Sequence, residues 1–286
     1  MAGWIHFMLT HEYINQDRIY VGSSPSFVGA LPNRHDEVQT FNQRSVFGIQ
    51  YGISEAMAVN VEIPLVHRDH SHIAGGQTES FNFSGLGDII VGGQYALLLP
   101  SAEFDPYLSF QIAAKLPSGV TDATSTEGEV AEVTLQPGTG SLDAIVGMNY
   151  RQSLFSVPTL SGEFSVLPLT AGVSYQISGK GTNDYRFGNT LLVYVGTQYQ
   201  LVNQVSVLLQ VNGMFRDFAS VGSTGEFPQN TGGTWIFVSP GLSIQLSDAF
   251  SAFGYFQLPV YLNVHGIQQT SKFNVQFGLT ADVDLF

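Results

Sequence analysis

The chain has 286 residues, 44% apolar but only 12% charged, with a net charge of −13 and no cysteine. Soluble domains average about 25% charged residues, so charge has been thinned without forming any run of about 18 apolar residues that could cross a membrane as a helix. The acid excess and ten scattered Lys and Arg argue against nucleic acid, which needs clustered basic groups. The lack of cysteine excludes disulfides, thiolate metal sites and cysteine nucleophiles.

Glycine is abundant and aromatic residues make up 12% of the chain, a composition that points to an all-β fold. MAGWIHFML at the start shows neither a basic segment nor a small-residue cleavage site, so any export signal is expected to have been removed already. About twelve strands are predicted in chain order, over 3–14, 36–53, 56–69, 83–98, 104–116, 141–152, 159–178, 185–201, 204–217, 233–247, 249–264 and 270–286. FGIQYGI places Phe47, Ile49, Tyr51 and Ile53 on one side, and MAVNVEIPL does the same with Met57, Val59, Val61, Ile63 and Leu65. In AFSAFGYFQLPVYLNVHG, Phe250, Ala252, Phe256, Leu258, Val260 and Leu262 form one face, with Tyr255, Gln257, Pro259 and Tyr261 on the other. The last strand alternates from Phe273 to Leu285.

The connections alternate in length. Residues 54–56, 100–105, 202–204 and 247–249 read as tight turns, whereas 15–35, 70–82, 117–140 and 218–232 read as long polar loops. The strands are long enough to cross a bilayer, which takes about 9–11 tilted residues. Their second face is Gly, Ser, Thr, Asn, Gln and Tyr with a few charges, as the lining of a narrow lumen would be, rather than the charged surface that faces water. The expected architecture is a transmembrane antiparallel up-and-down β-barrel over 1–286 as a single domain, with short periplasmic turns and long extracellular loops. Such a chain belongs in the bacterial outer membrane, against lipid and lipopolysaccharide.

Strand parity assigns lumen-lining candidates: Glu62, Asp88, Tyr107, Lys115, Asp143, Arg151, Arg186, Tyr194, Arg216, Trp235, Tyr255 and Tyr261, with Gln94, Gln111, Asn149, Gln198, Gln210, Gln257 and Asn274 among them. Acids and bases are expected to pair across the lumen, because a lone charge there is costly. The segment HRDHSH (67–72) puts His70 and His72 on one face, a weak metal candidate. No catalytic residue is assigned: His70–Ser71–His72 lacks the Asn-Gly that follows in a barrel phospholipase. The acidic stretch 121–132, with Asp122, Glu127, Glu129 and Glu132, matches no EF-hand and reads as a solvated loop; calcium bridging to lipopolysaccharide is the alternative. GLGDIIVGG (85–93) sits in a strand without a helix start, so no nucleotide or other cofactor is expected.

Several stretches carry a resemblance. These are YGISEAMAVNVEIPLVHRDH (51–70), SGLGDIIVGGQYALL (84–98), LSFQIAAKLPSG (108–119), GTGSLDAIVGMNY (138–150) and NTGGTWIFVSPGLSIQLSDAFSAFGYFQLPVYLNVHG (230–266). Together they resemble the outer-membrane barrel family named after the meta-pathway of phenol degradation. The resemblance implies passive uptake or efflux of small, often aromatic or apolar compounds. One departure is Phe286, which falls off the register of Val283 and Leu285 where such barrels usually end on an outward Phe. The expected function is a channel for a small aromatic or amphipathic solute. The alternative is a plugged barrel that anchors a partner protein or a homo-oligomer at the membrane.

Overall fold

The computed structural model describes residues 3–30, 37–74, 76–125, 128, 130–224 and 227–285. Its strands are β1 (Trp4–Val21), β2 (Ser24–Ser26), β3 (Glu37–Gly52), β4 (Met57–Ala74), β5 (Gln77–Leu86), β6 (Ile90–Leu98), β7 (Tyr107–Lys115), β8 (Asp143–Pro158), β9 (Phe164–Ile177), β10 (Thr190–Val202), β11 (Val205–Arg216), β12 (Gly233–Gln245), β13 (Phe250–Val264) and β14 (Ile267–Asp284). All pairings are antiparallel, and β1 pairs with β14 from Trp4↔Asp284 to Val21↔Ile267, which closes the sheet. β2 is a short flap on the outer end of β1. β5 and β6 both pair with β4, one above the other, so they form a single stave broken at 87–89. The wall is therefore a twelve-stave barrel. Closure leaves no unpaired edge, which hydrocarbon would penalise heavily.

Period-2 alternation follows from this closure. Phe47, Ile49, Val59, Val61, Val207, Leu209, Val211, Phe277 and Leu279 stand exposed on the outer surface. Aromatic pairs also lie on this register, including Phe7–Phe47, Tyr13–Phe41 and Phe256–Phe273. The opposite register holds the polar series. Arg151, Thr170, Gln198 and Gln210 from β8 to β11 share one cavity with Tyr255 of β13. Because β13 does not adjoin β11 in the sheet, that cavity marks the interior.

The strands differ from the sequence expectation at the long-loop end. The stretch 70–82 is a hairpin, β4 running to Ala74 and β5 starting at Gln77, with His70↔Phe81 and His72↔Glu79 in register. Likewise 15–21 continues β1 rather than looping. Both stretches are mostly polar, with only Ile19, Tyr20, Val21, Ile73 and Phe81 as large apolar or aromatic residues beyond the histidines, so the regular apolar contrast that reveals a strand is missing there. His265–Gly266 is a tight turn at this same end, with Gly266 at φ +58. Phe286, Glu127, Glu129 and Met1 lie outside the described residues.

Candidate functional site

Part of the segment between β7 and β8 turns back into the barrel. Among its described residues Ala123, Ala131, Leu135 and Gln136 pack against the inner face of β4 and β5, a correction to the expected loop there, while Asp122, Thr124, Val130 and Glu132 stay exposed as expected. Arg68, in register with the inward Asn42, donates from Nη1 to the carbonyls of Thr134 (3.0 Å) and Gln136 (2.9 Å). Phe81 and Phe83 bury against Ala131, with Ala123 and Leu135 packed alongside. Gln136 folds the segment on itself, donating to the carbonyls of Ala131 (2.7 Å) and Ala123 (3.3 Å) and accepting from the Ala123 N–H (2.8 Å).

Both ends of this segment are held by one buried ionic cluster. Lys115 Nζ lies 2.8 Å from Asp88 Oδ2 and 3.1 Å from Asp143 Oδ2. Asp88 also accepts from the backbone N–H of Gly119 (3.0 Å) and of Thr139 (2.9 Å) and from the Thr139 hydroxyl (2.5 Å). Asp143 accepts from Ser141 Oγ (2.8 Å), Gly179 N–H (2.9 Å) and Gln176 Nε2 (2.6 Å). Two carboxylates against one ammonium are tolerable here because these donors satisfy the remaining lone pairs. The glycines explain the close fit: a Cβ on Gly138 would sit 2.5 Å from the Gly119 carbonyl carbon. The stretches GLGD, LPSG and GTGS, far apart in sequence, thus meet at one joint. Asp88, Lys115 and Asp143 are buried in that joint rather than bare on the lumen wall.

Below the joint the lumen is lined mainly by neutral polar groups. A cavity of about 180 Å³ is bounded by His6, Met8, Gln50, Asn60, Glu62, Gln94 and Gln111. Tyr194 donates its hydroxyl to Asn149 Oδ1 (3.1 Å), and Asn149 donates to Gln111 Oε1 (3.2 Å), a chain running along the inner wall. Tyr107 pairs with Arg151 at the short-turn end and accepts from Gln94 Nε2 at 3.4 Å. Arg151 and Tyr255 border a second cavity of about 220 Å³. Trp235 is in register with Met214 of β11.

Two expected lining residues are placed elsewhere. A bulge sets Ile236↔Tyr261 next to Phe237↔Pro259. The extra residue shifts Tyr261 onto the outward register of Ile236, where it is exposed, and turns Leu262 inward opposite Trp235. Arg186 lies before β10, which begins at Thr190. Its Nε donates to the Ser178 carbonyl (2.8 Å), so it braces the loop between β9 and β10. The buried neighbour is Tyr185.

His70 and His72 do face inward, but His70 Nδ1 lies 2.9 Å from Thr40 Oγ1 and His72 stacks on Phe81 at 5.2 Å. Among the described residues no three His, Asp or Glu side chains gather as a metal set.

At the outer mouth the inward segment leaves a vestibule of about 320 Å³, bounded among others by Arg68, Leu135, Tyr185, Phe187, Arg216 and Gln269. Sequence parity finds Arg216 but misses Arg68 and Gln269, because both lie in stretches that read as strand end or loop. His6, Met8 and Gln50 follow the same alternation as their neighbours, and that alternation was the signal that could have placed them on the lumen.

A family model matches residues 16–277. The chain belongs to the family described as "Putative MetA-pathway of phenol degradation". No curated protein matches it in sequence. Among solved structures, an outer membrane channel from Pseudomonas putida F1 is similar at TM-score 0.67 and 10% identity, over 99% of this chain and 96% of that one. The transport unit of the autotransporter AIDA-I from Escherichia coli is similar at TM-score 0.50 and 8% identity, over 100% and 91%. At such identities the likeness is one of fold. This member of the phenol-degradation family is a closed twelve-stave antiparallel β-barrel, the fold of that outer membrane channel.

Proposed function

We propose that the chain is an outer-membrane channel for passive passage of a small aromatic or amphipathic molecule. The observation that carries this reading is the interior itself. A barrel built as a mere anchor would fill its lumen, yet here cavities of about 320, 180 and 220 Å³ occur along the inner wall. The two inner cavities are lined largely by amides and hydroxyls, with Glu62 the one acid of the first and Arg151 and Tyr255 in the second, so they offer hydrogen bonds with little fixed charge; the outer one adds charged groups to an aromatic side. The similarity to an outer membrane channel and the family's name, which ties it to phenol degradation, support the same reading. The chemistry needed is diffusion, so no catalytic group or cofactor is assigned. Outer-membrane lipid and lipopolysaccharide are the surroundings, and a small solute is the cargo.

A second reading, a plugged scaffold for a partner protein or a second copy, is favoured by the inward segment that Arg68 and Phe81 hold across the lumen. Single-channel recording of the purified barrel in a planar bilayer separates the two. Steady conductance that small aromatics block is the expected result. A silent bilayer, with insertion confirmed independently, would favour the scaffold.

A further inference from the structure

We infer that the vestibule is a binding site for a small organic anion, a carboxylate carried on a flat apolar body, held by Arg68 and Arg216. This rests on the channel reading for its role in transport, but not for the binding itself. In the order of staves, β4 and β11 stand six apart in a ring of twelve, on opposite walls. Arg68 and Arg216 therefore reach the same cavity from opposite sides.

Neither guanidinium has a carboxylate within ion-pair distance among the described residues. Arg68 uses Nη1 on two backbone carbonyls, and its Nε is buried without a partner among the described residues. Arg216 spends Nε on Thr190 Oγ1 (3.1 Å) and makes only a long contact from Nη2 to Met214 Sδ (3.8 Å). A second buried donor without such a partner, Gln269 Nε2, borders the same cavity. Its other end is fixed, since Gln269 Oε1 accepts from Thr40 Oγ1 at 2.6 Å.

A guanidinium withdrawn from water without a direct ion pair is costly, and so is a buried donor left unmade. One ligand relieves both: a carboxylate, whose two oxygens accept from a guanidinium and an amide together. The walls name the rest of the molecule. Tyr185, Phe187 and Leu135 give the cavity an apolar, largely aromatic side, which suits a flat ring better than a hydrated inorganic ion. Glu37, Glu132 and Asp217 also border the vestibule. They would repel an anion that approached them, so productive binding is confined to the two arginines.

The test is calorimetric titration of the detergent-solubilised full chain with benzoate and with benzamide, a neutral molecule of nearly the same shape. Benzoate is expected to bind roughly tenfold or more tighter, as an added charged hydrogen bond implies. Arg216→Gln is expected to erase that preference while the barrel still shifts on heating in a gel as a folded barrel does. Equal or tighter binding of benzamide to the unaltered chain would overturn the inference, whatever the variant does. In the planar bilayer, a reversal potential showing anion preference despite a net charge of −13 is the companion expectation. Cation preference would overturn the site's role in selecting what passes, while the titration alone decides the binding. A silent bilayer with benzoate preference intact would sink the channel reading and leave the site standing.

Discussion

Lys115 Nζ and Asp88 Oδ2 lie 2.8 Å apart, both side chains almost fully buried, and Asp143 closes on the same ammonium at 3.1 Å. The ammonium is the one positive charge between two carboxylates. Its removal in Lys115→Met leaves both acids buried and mutually repulsive. The expected cost is about 3–5 kcal/mol, the range for breaking a buried pair from one side. Urea unfolding in lipid vesicles measures it. Asp143→Asn keeps the Lys115–Asp88 contact and the acceptor for Gly179, so its loss should be clearly smaller. Equal losses would mean that the cluster does not act as a charge-balanced unit.

The joint also fixes where the inward segment enters and leaves the wall. A Cβ at Gly138 would meet Gly119 backbone at 2.5 Å, and one at Gly119 would meet Gly138 Cα at 2.6 Å. Backbone cannot yield as a flexible side chain can. Gly138→Val should therefore push the segment off the inner face of β4 and β5, with the barrel still closed. If the segment narrows the pore, conductance rises in this variant and protease cuts appear between 117 and 140. Unchanged conductance would show that the segment does not limit passage.

Lipid faces one register only. Leu279 is paired with Leu9 on β1 and exposed outward, while its neighbour Thr280 shares a hydrogen bond of 2.6 Å with Ser251 on the inner register. Leu279→Lys is expected to lose about 2–4 kcal/mol if it lies near the bilayer midplane, and less toward an interface. Thr280→Lys, one residue on, should cost far less because water can reach it. Vesicle unfolding of the two variants reads the difference directly.

These contrasts also show which parts of the fold were legible in sequence. Phe277 and Leu279 alternate with Gln276 and Thr280 because hydrocarbon and lumen demand opposite chemistry on the two faces. Beyond the lipid that demand ends, so His67, Asp69 and Ser71 gave no contrast with His70 and His72, and the hairpin of β4 and β5 looked like a loop. The inward packing of Ala123, Ala131, Leu135 and Gln136 was hidden for another reason. Arg68 grips carbonyl oxygens of Thr134 and Gln136, and backbone acceptors leave no mark on composition. Phe81 and Phe83, two apart in a polar stretch, were the available sign that something apolar packs there. The motifs of Asp88, Lys115 and Asp143 were visible singly. Their meeting at one ammonium depends on pairings between β6, β7 and β8 that local pattern does not give.

The bulge in β13 yields the sharpest check on register. Simple alternation from Phe256 carries Tyr261 into the lumen and Leu262 out to lipid. The structure reverses both, since Tyr261 stands opposite Ile236 and Leu262 opposite Trp235. Pro259 sits at this step and has no N–H to give the ladder, which makes the extra residue tolerable there. The chain has no cysteine of its own, so single substitutions report cleanly. Leu262→Cys should react with a charged, water-soluble thiol reagent added to the folded barrel in vesicles. Tyr261→Cys should stay protected from it and react with an apolar maleimide dissolved in the lipid. The opposite pattern would mean that the bulge is absent and that alternation runs unbroken through the strand.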